Sequence, residues 1–174
     1  RHQKILELIK ESKKIAILDH HLTAMEDLRE IPDEYKIFDM SHSGAHLAWR
    51  FFFPNKKVPL LIQYIEDRDI WKKSMPYTDE CWAWLSTLPF TFETFEPLLD
   101  DKLMLSKIKS EGVGMKKATT KNINRTLQYA VPKLMRIDGE YYMVVHVNTS
   151  VHKSDIGNKV LTDNVNATDD VDGA

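Results

Sequence analysis

Residues 15–21 read IAILDHH: an apolar run that stops at one carboxylate and two adjacent imidazoles. Ile15 to Leu18 form a short continuous apolar stretch, the pattern of a strand buried on both faces. Immediately upstream, residues 1–12 (RHQKILELIKES) place Ile5, Leu6, Leu8 and Ile9 on one face of a helix. A helix followed at once by such a strand is half of a β–α–β unit, so the stretch predicts an α/β fold with a parallel sheet and flanking helices. Ligands of open parallel sheets bind at the carboxyl ends of the strands. Asp19, His20 and His21 therefore mark the point where a buried strand surfaces in a cleft.

Downstream, residues 22–34 are mixed, with REIPDEY reading as a loop, and Tyr35 to Phe38 form a second short strand. Ser43-Gly44 opens a helix, SGAHLAWRFFF, and VPLLIQYIED forms another whose Leu60, Leu61, Tyr64 and Ile65 make an apolar stripe. Pro76, Pro89 and Pro97 break residues 74–100 into short helices and turns. Residues 101–130 read as a long, mostly polar helix interrupted at Gly112 and Gly114, and its second half suits a connector. Two β-rich runs then flank Asp138-Gly139, a tight-hairpin signal. Ser154 is the candidate N-cap of a following helix, and the closing NATDDVDGA is polar without period. The organisation expected is residues 1–114 as one domain, 115–130 as connector helix and 131–174 as the start of a second α/β domain. The chain begins at Arg1, directly in a helix pattern, and reads as a piece of a longer polypeptide.

Bulk properties exclude several classes. Hydrophobic residues make up 43% and charged residues 29%, a globular mixture, and the net charge of −2 gives no global field toward nucleic acid or membrane. No apolar stretch nears the roughly 20 residues that span a bilayer. The single cysteine, Cys81, excludes an internal disulfide framework, fits a reducing, cytoplasmic compartment, and reads as a buried, inert thiol.

Three constellations carry chemistry. Neutral imidazole is a common metal ligand, and a neighbouring carboxylate can hold a ring N–H or bind metal itself, so Asp19-His20-His21 is the first candidate. In YIEDRDIW, Asp67 and Asp69 flank Arg68, and two carboxylates suit a hard dication such as Mn²⁺ or Mg²⁺. A carboxylate at a helix C-terminus opposes the macrodipole, a cost that a nearby cation would offset. In HSGAHLAW, Ser43 and Gly44 could present backbone N–H groups to an anion, although an N-cap with small residues for tight packing is the plainer reading. His42 and His46 share a helix face, but as a zinc pair they need further ligands.

ILDHH resembles the signature of the DHH phosphoesterase superfamily, which includes RecJ-type exonucleases, oligoribonucleases and family II inorganic pyrophosphatases. SGAHLAW followed by YIEDRDIW resembles the "SGA…W…DRDLW" pattern of DHH-type phosphohydrolases, and VHVNTSVHKSDIGNKVL resembles the opening of the DHH-associated C-terminal domain. The resemblance implies a two-metal phosphoester hydrolase, usually with Mn²⁺, Mg²⁺ or Co²⁺ being alternatives. It makes His20 a metal ligand, Asp19 the group that orients it or the bridging water, and His21 the residue facing the phosphate. It maps the next metal-binding aspartate to Asp67, with Asp69 as the other register. The implied substrate is a phosphodiester, such as a short oligonucleotide or a cyclic dinucleotide. The family's first motif and the next aspartate of its second motif are absent from the chain, as is the glycine- and histidine-rich close of the associated domain. The chain by itself is therefore expected to be inactive and the full-length protein an enzyme. The alternative is a degenerate DHH-like domain kept for binding or assembly.

Overall fold

A computed structural model describes residues 2–169, a mixed α/β chain with one parallel and one antiparallel strand pair. Helix α1 (His2–Glu11) leads into β1 (Ile17–Asp19), which pairs in parallel with β2 (Lys36–Phe38), Asp19 lying opposite Phe38. Parallel strands need a crossover of about a dozen residues or more. Here it is built from α2 (Leu22–Asp27), in a stretch that reads as mixed, and a 3₁₀ turn (Asp33–Tyr35), within the REIPDEY that reads as a loop. The expectation that β1 is buried on both faces is corrected: all three of its residues are half-buried. The pair has only two strands, so each strand is an edge and neither is covered on all sides.

Helix α3 (Gly44–Phe52) packs against β1 and against α4 (Leu60–Asp69). The main core lies beyond, among α4, α5 (Thr78–Leu85) and α7 (Asp101–Lys107), after α6 (Phe92–Phe95) and a 3₁₀ turn (Glu96–Leu99). Leu61 and Tyr64 of α4 meet Cys81, Trp84 and Leu85 of α5, spaced i, i+3, i+4, and Met104 and Ile108 four apart. Each such side chain contributes about 1.5–3 kcal/mol on full burial. Cys81 is 1% exposed, and burial pushes its thiol up to about 12, so it stays protonated and inert as expected. The start of α4 is tied to α7 by Asp101, whose carboxylate accepts from the backbone N–H of Leu60 at 2.7 Å.

The turn after α4 is unusual. Trp71, Lys73 and Tyr77 all have left-handed backbones, with φ of 55°, 45° and 69°. Each costs about 1 kcal/mol or more in a residue other than glycine. One buried carboxylate holds the turn together. Asp67 accepts from the Ser74 N–H at 2.9 Å, the Ser74 hydroxyl at 2.8 Å, the Met75 N–H at 3.2 Å and the Thr78 hydroxyl. Burial works to raise its pKa, but the Thr78, Ser74 and Met75 donors outweigh burial and hold it below the usual carboxylate range.

The expected long helix is continuous past its glycines. Between α7 and α8 (Val113–Leu127) the chain widens into a π-turn over Ile108–Gly112. Gly112 is there for space: a Cβ would lie 2.6 Å from the Glu80 carbonyl oxygen of α5. Gly114 is exposed, with nothing within 4 Å of a Cβ.

The chain divides into two compact units, one up to Met115 and one from Lys116 onward. In the second, β3 (Val131–Ile137) and β4 (Glu140–His146) form an antiparallel hairpin closed by Asp138-Gly139. Their φ values of 50° and 92° are both positive, as a type I′ turn demands. Helix α9 (Lys153–Asp169) follows, and its first turn already includes a bond from the Ile156 N–H to the His152 carbonyl. The helix thus starts upstream of Ser154, and that residue lies inside it rather than capping it. The closing polar stretch enters α9 as far as Asp169, and its last residues, 170–174, lie outside the described residues. No helix among the described residues is long and apolar enough to cross a membrane.

Two substitutions test this account. Gly112→Ala should destabilise the chain by about 1–3 kcal/mol, because backbone must shift to admit the methyl. Gly114→Ala should be neutral or stabilise by up to about 1 kcal/mol, and urea melts of the pair report the contrast. Asp67→Asn should cost about 2 kcal/mol at pH 7 by weakening four bonds to a buried acceptor. A lowered folded pKa stabilises above the unfolded value and is lost as pH falls through the folded one. The gap between wild type and Asp67→Asn should therefore narrow below about pH 4, and melts at several pH values measure it.

Candidate functional site

Asp19 is the last residue of β1, and its side chain organises the two histidines that follow. Its Oδ1 accepts from the His20 N–H at 2.7 Å and the His21 N–H at 3.1 Å, and lies 2.7 Å from the His21 Nδ1. Burial alone would raise the Asp19 pKa. The His21 ring and the two backbone donors outweigh it, so the carboxyl is ionised well below neutrality. A carboxylate on Nδ1 selects the tautomer with its proton there and leaves Nε2 as the acceptor. The His21 side chain is 67% exposed, so that nitrogen is open to a ligand.

His20 takes the opposite course. Its side chain is 11% exposed, and its Nε2 lies 3.6 Å from Oδ2 of Asp69 at the end of α4. The two imidazoles meet edge to face with centroids 4.3 Å apart. Ligating atoms of Asp19, His20 and His21 all lie within 4.8 Å of one another, a spacing that one cation could bridge.

Of the two aspartates expected near Trp71, Asp69 is thus the one beside His20. Asp67 is 3% exposed, and both its oxygens are occupied by the turn over residues 74–78. Its role among these groups is structural, in holding that turn. The reason is helical phase: Asp67 continues the inward row Leu60–Tyr64, at i, i+4, i+7, while Asp69 falls off that row.

The expected anion cradle at Ser43 and Gly44 is also altered. Ser43 does cap α3, its hydroxyl accepting from the His46 N–H at 3.2 Å. Its own N–H, expected to serve a phosphate, donates instead to Oε2 of Glu66 at 3.1 Å. Gly44 is not a packing glycine, since a Cβ there would meet nothing within 4 Å.

Glu66 is the residue that the sequence reading missed. It sits on α4, three residues before Asp69, so the two carboxylates share a side of the helix. Its Oε2 lies 3.1 Å from the Nδ1 of His42 and 2.7 Å from the Nδ1 of His46, and Lys72 stands 3.6 Å from its Oε1. Burial pushes the Glu66 pKa up, but the Ser43 N–H and His42 outweigh it and the net direction is down. His46 is held below its ordinary value by burial, against the pull of Glu66, and is therefore neutral at pH 7. The available signal was the i, i+4 histidine pair itself, which leaves room for a partner from another helix.

No family model matches the chain, and no solved structure matches it. An uncharacterized protein of Acanthamoeba polyphaga mimivirus is 30% identical over 163 residues, a match that covers 92% of this chain and 38% of that protein. The chain thus spans little more than a third of the length of the curated relative it matches.

Proposed function

We propose that this protein is a metal-dependent phosphoester hydrolase of the DHH type, cleaving a phosphodiester such as a short oligonucleotide or a cyclic dinucleotide. The observation that carries the reading is the Asp19–His20–His21 cluster at the carboxyl end of a parallel strand, with Asp69 of α4 lying 3.6 Å from His20. The donor chemistry fits: imidazole and carboxylate together suit Mn²⁺ and admit Mg²⁺ or Co²⁺. A bound pair of such ions supplies an acidified water and neutralises charge on the phosphoryl oxygens.

The chain's own residues have distinct parts in this reading. His20 and Asp69 hold a cation between α4 and the end of β1. Asp19 is ionised, and all three of its hydrogen bonds fall on Oδ1, so its Oδ2 remains an open donor among the described residues. His21, fixed through Nδ1, presents its exposed ring to the phosphate. Asp67 keeps the turn after α4 in place and so holds Asp69 in register. These donors are fewer than the roughly six that Mn²⁺ takes, so the reading requires further carboxylates in the whole protein. Activity is accordingly expected of the full-length protein and not of residues 1–174 alone.

One observation favours a second reading, a DHH-like domain retained for binding. Two expected site groups, the Asp67 carboxylate and the Ser43 N–H, already have internal partners. Turnover decides between them. In the full-length protein, His20→Ala should lower Mn²⁺-dependent hydrolysis of a dinucleotide by at least about 100-fold. Asp69→Asn should weaken Mn²⁺ affinity while leaving the melting temperature nearly unchanged, because Asp69 is 47% exposed. Full activity in His20→Ala, or robust turnover by residues 1–174, would sink the assignment. An inert wild-type protein would leave the binding domain as the reading.

A further inference from the structure

We propose that His42, His46 and Glu66 form a second, separate site for a transition-metal ion of the Zn²⁺ class, one that clamps the start of α3 to α4. The site does not rest on the hydrolase reading, since it shares no ligand with Asp19, His20, His21 or Asp69.

Three ligand atoms, from His42 just before α3, His46 on α3 and Glu66 on α4, converge within 4.8 Å of one another. The Nδ1 atoms of both histidines crowd the same carboxylate oxygen, at 3.1 and 2.7 Å. The rings are stacked, with centroids 4.0 Å apart and planes 27° from parallel, so their Nδ1 edges are turned the same way. One contact of this set is unsatisfied. The His46 Nδ1 is fully buried and makes no hydrogen bond, although Oε2 of Glu66 is 2.7 Å away. The two atoms are close without a well-formed hydrogen bond between them, and a lone pair at Nδ1 would repel the oxygen. A cation between them removes that conflict, because nitrogen and oxygen lone pairs then point at a common positive centre.

The donor set selects the ion. Two imidazoles and one carboxylate are the three-ligand pattern of open zinc sites, with ligand bonds of about 2.0–2.2 Å and a fourth position left for water. Such a centre spaces its ligands about 3.4 Å apart, so the cluster opens by some tenths of an ångström on binding. Mg²⁺ and Ca²⁺ prefer oxygen and are disfavoured here. The Ser43 N–H bonded to Oε2 fixes the carboxylate as an outer partner does in metal sites. His42 is the least enclosed ligand, its side chain 25% exposed against 13% for His46 and 12% for Glu66, so the ion enters on its side.

The test uses Co²⁺ as a spectroscopic stand-in for Zn²⁺, added to chelator-stripped protein. It is done in a His20→Ala, Asp69→Asn background, which removes two of the four candidate ligands at the other cluster. One equivalent of Co²⁺ should give the intense visible bands of a tetrahedral centre, displaced by one equivalent of Zn²⁺, and Zn²⁺ should raise the melting temperature. His42→Ala and Glu66→Gln should each weaken Co²⁺ binding at least tenfold. His42 precedes α3 and is partly exposed, so His42→Ala is the decisive variant if Glu66→Gln fails to fold, and circular dichroism of the metal-free protein checks this. Absence of the bands in the background protein overturns the site. So does unchanged Co²⁺ affinity in a folded His42→Ala, or a weak six-coordinate spectrum. An inert wild-type full-length protein whose background variant still gives these bands would count against the hydrolase reading and leave this site standing.

Discussion

The last turn of α4 buries three ionisable residues in a row. Glu66 is 9% exposed, Asp67 3% and Arg68 7%. A charge taken out of water without partners costs several kcal/mol, so each of these must be met by its own set of groups. Because consecutive helix positions are about 100° apart, each is met by a different part of the chain. Glu66 engages the start of α3, Asp67 engages the turn after α4, and Arg68 stacks against Trp71 at 4.5 Å and Trp82 at 5.6 Å. The surroundings of α4 are thereby fixed in three directions at once, and the neighbouring Asp69 is delivered to His20 as a consequence.

This turn also runs against the helix macrodipole, which disfavours carboxylates at a C-terminus by about 0.3–1 kcal/mol each. The structure answers with backbone N–H groups: those of Ser74 and Met75 on Asp67, and that of Ser43 on Glu66. Neutral and charged donors together hold both carboxyls in their ionised form. Electrostatic cost at the helix end is converted into tertiary attachment, and that attachment positions Glu66 beside His42 and His46 and Asp69 beside His20.

Local features of the fold were legible in the sequence, and long-range ones were not. Ile15 to Leu18 reads as a strand buried on both faces, and β1 forms over Ile17–Asp19 with half-buried residues; Ser43 reads as a cap and Asp138-Gly139 as a turn, and both rest on neighbours within a few residues. The burial of Cys81 followed from its apolar surroundings. The structural role of Asp67 depends on hydroxyls at residues 74 and 78, which nothing in the acidic tetrapeptide announces. Its helical phase with Tyr64 was the clue available. Glu66 escaped notice because its histidines lie 20 and 24 residues upstream, a pairing that only the packing of α3 on α4 creates. The π-turn at Gly112 likewise answers to a carbonyl on α5, far from it in the chain.

The hairpin of the second unit has a direction of growth built into it. A two-residue turn makes Ile137 and Glu140 a hydrogen-bonded pair, and counting outward by alternation leaves Pro132 opposite Val145 in a non-bonded position. The ring nitrogen of Pro132 therefore stands on the outer side of β3, where an incoming strand would find a donor missing. The outer side of β4 has no proline and keeps its full ladder, flanked by Tyr141, Met143 and Val145. A strand adding along β4 would meet every outward donor, whereas one adding along β3 would lose that of Pro132, so the β4 side is the more favourable edge for pairing.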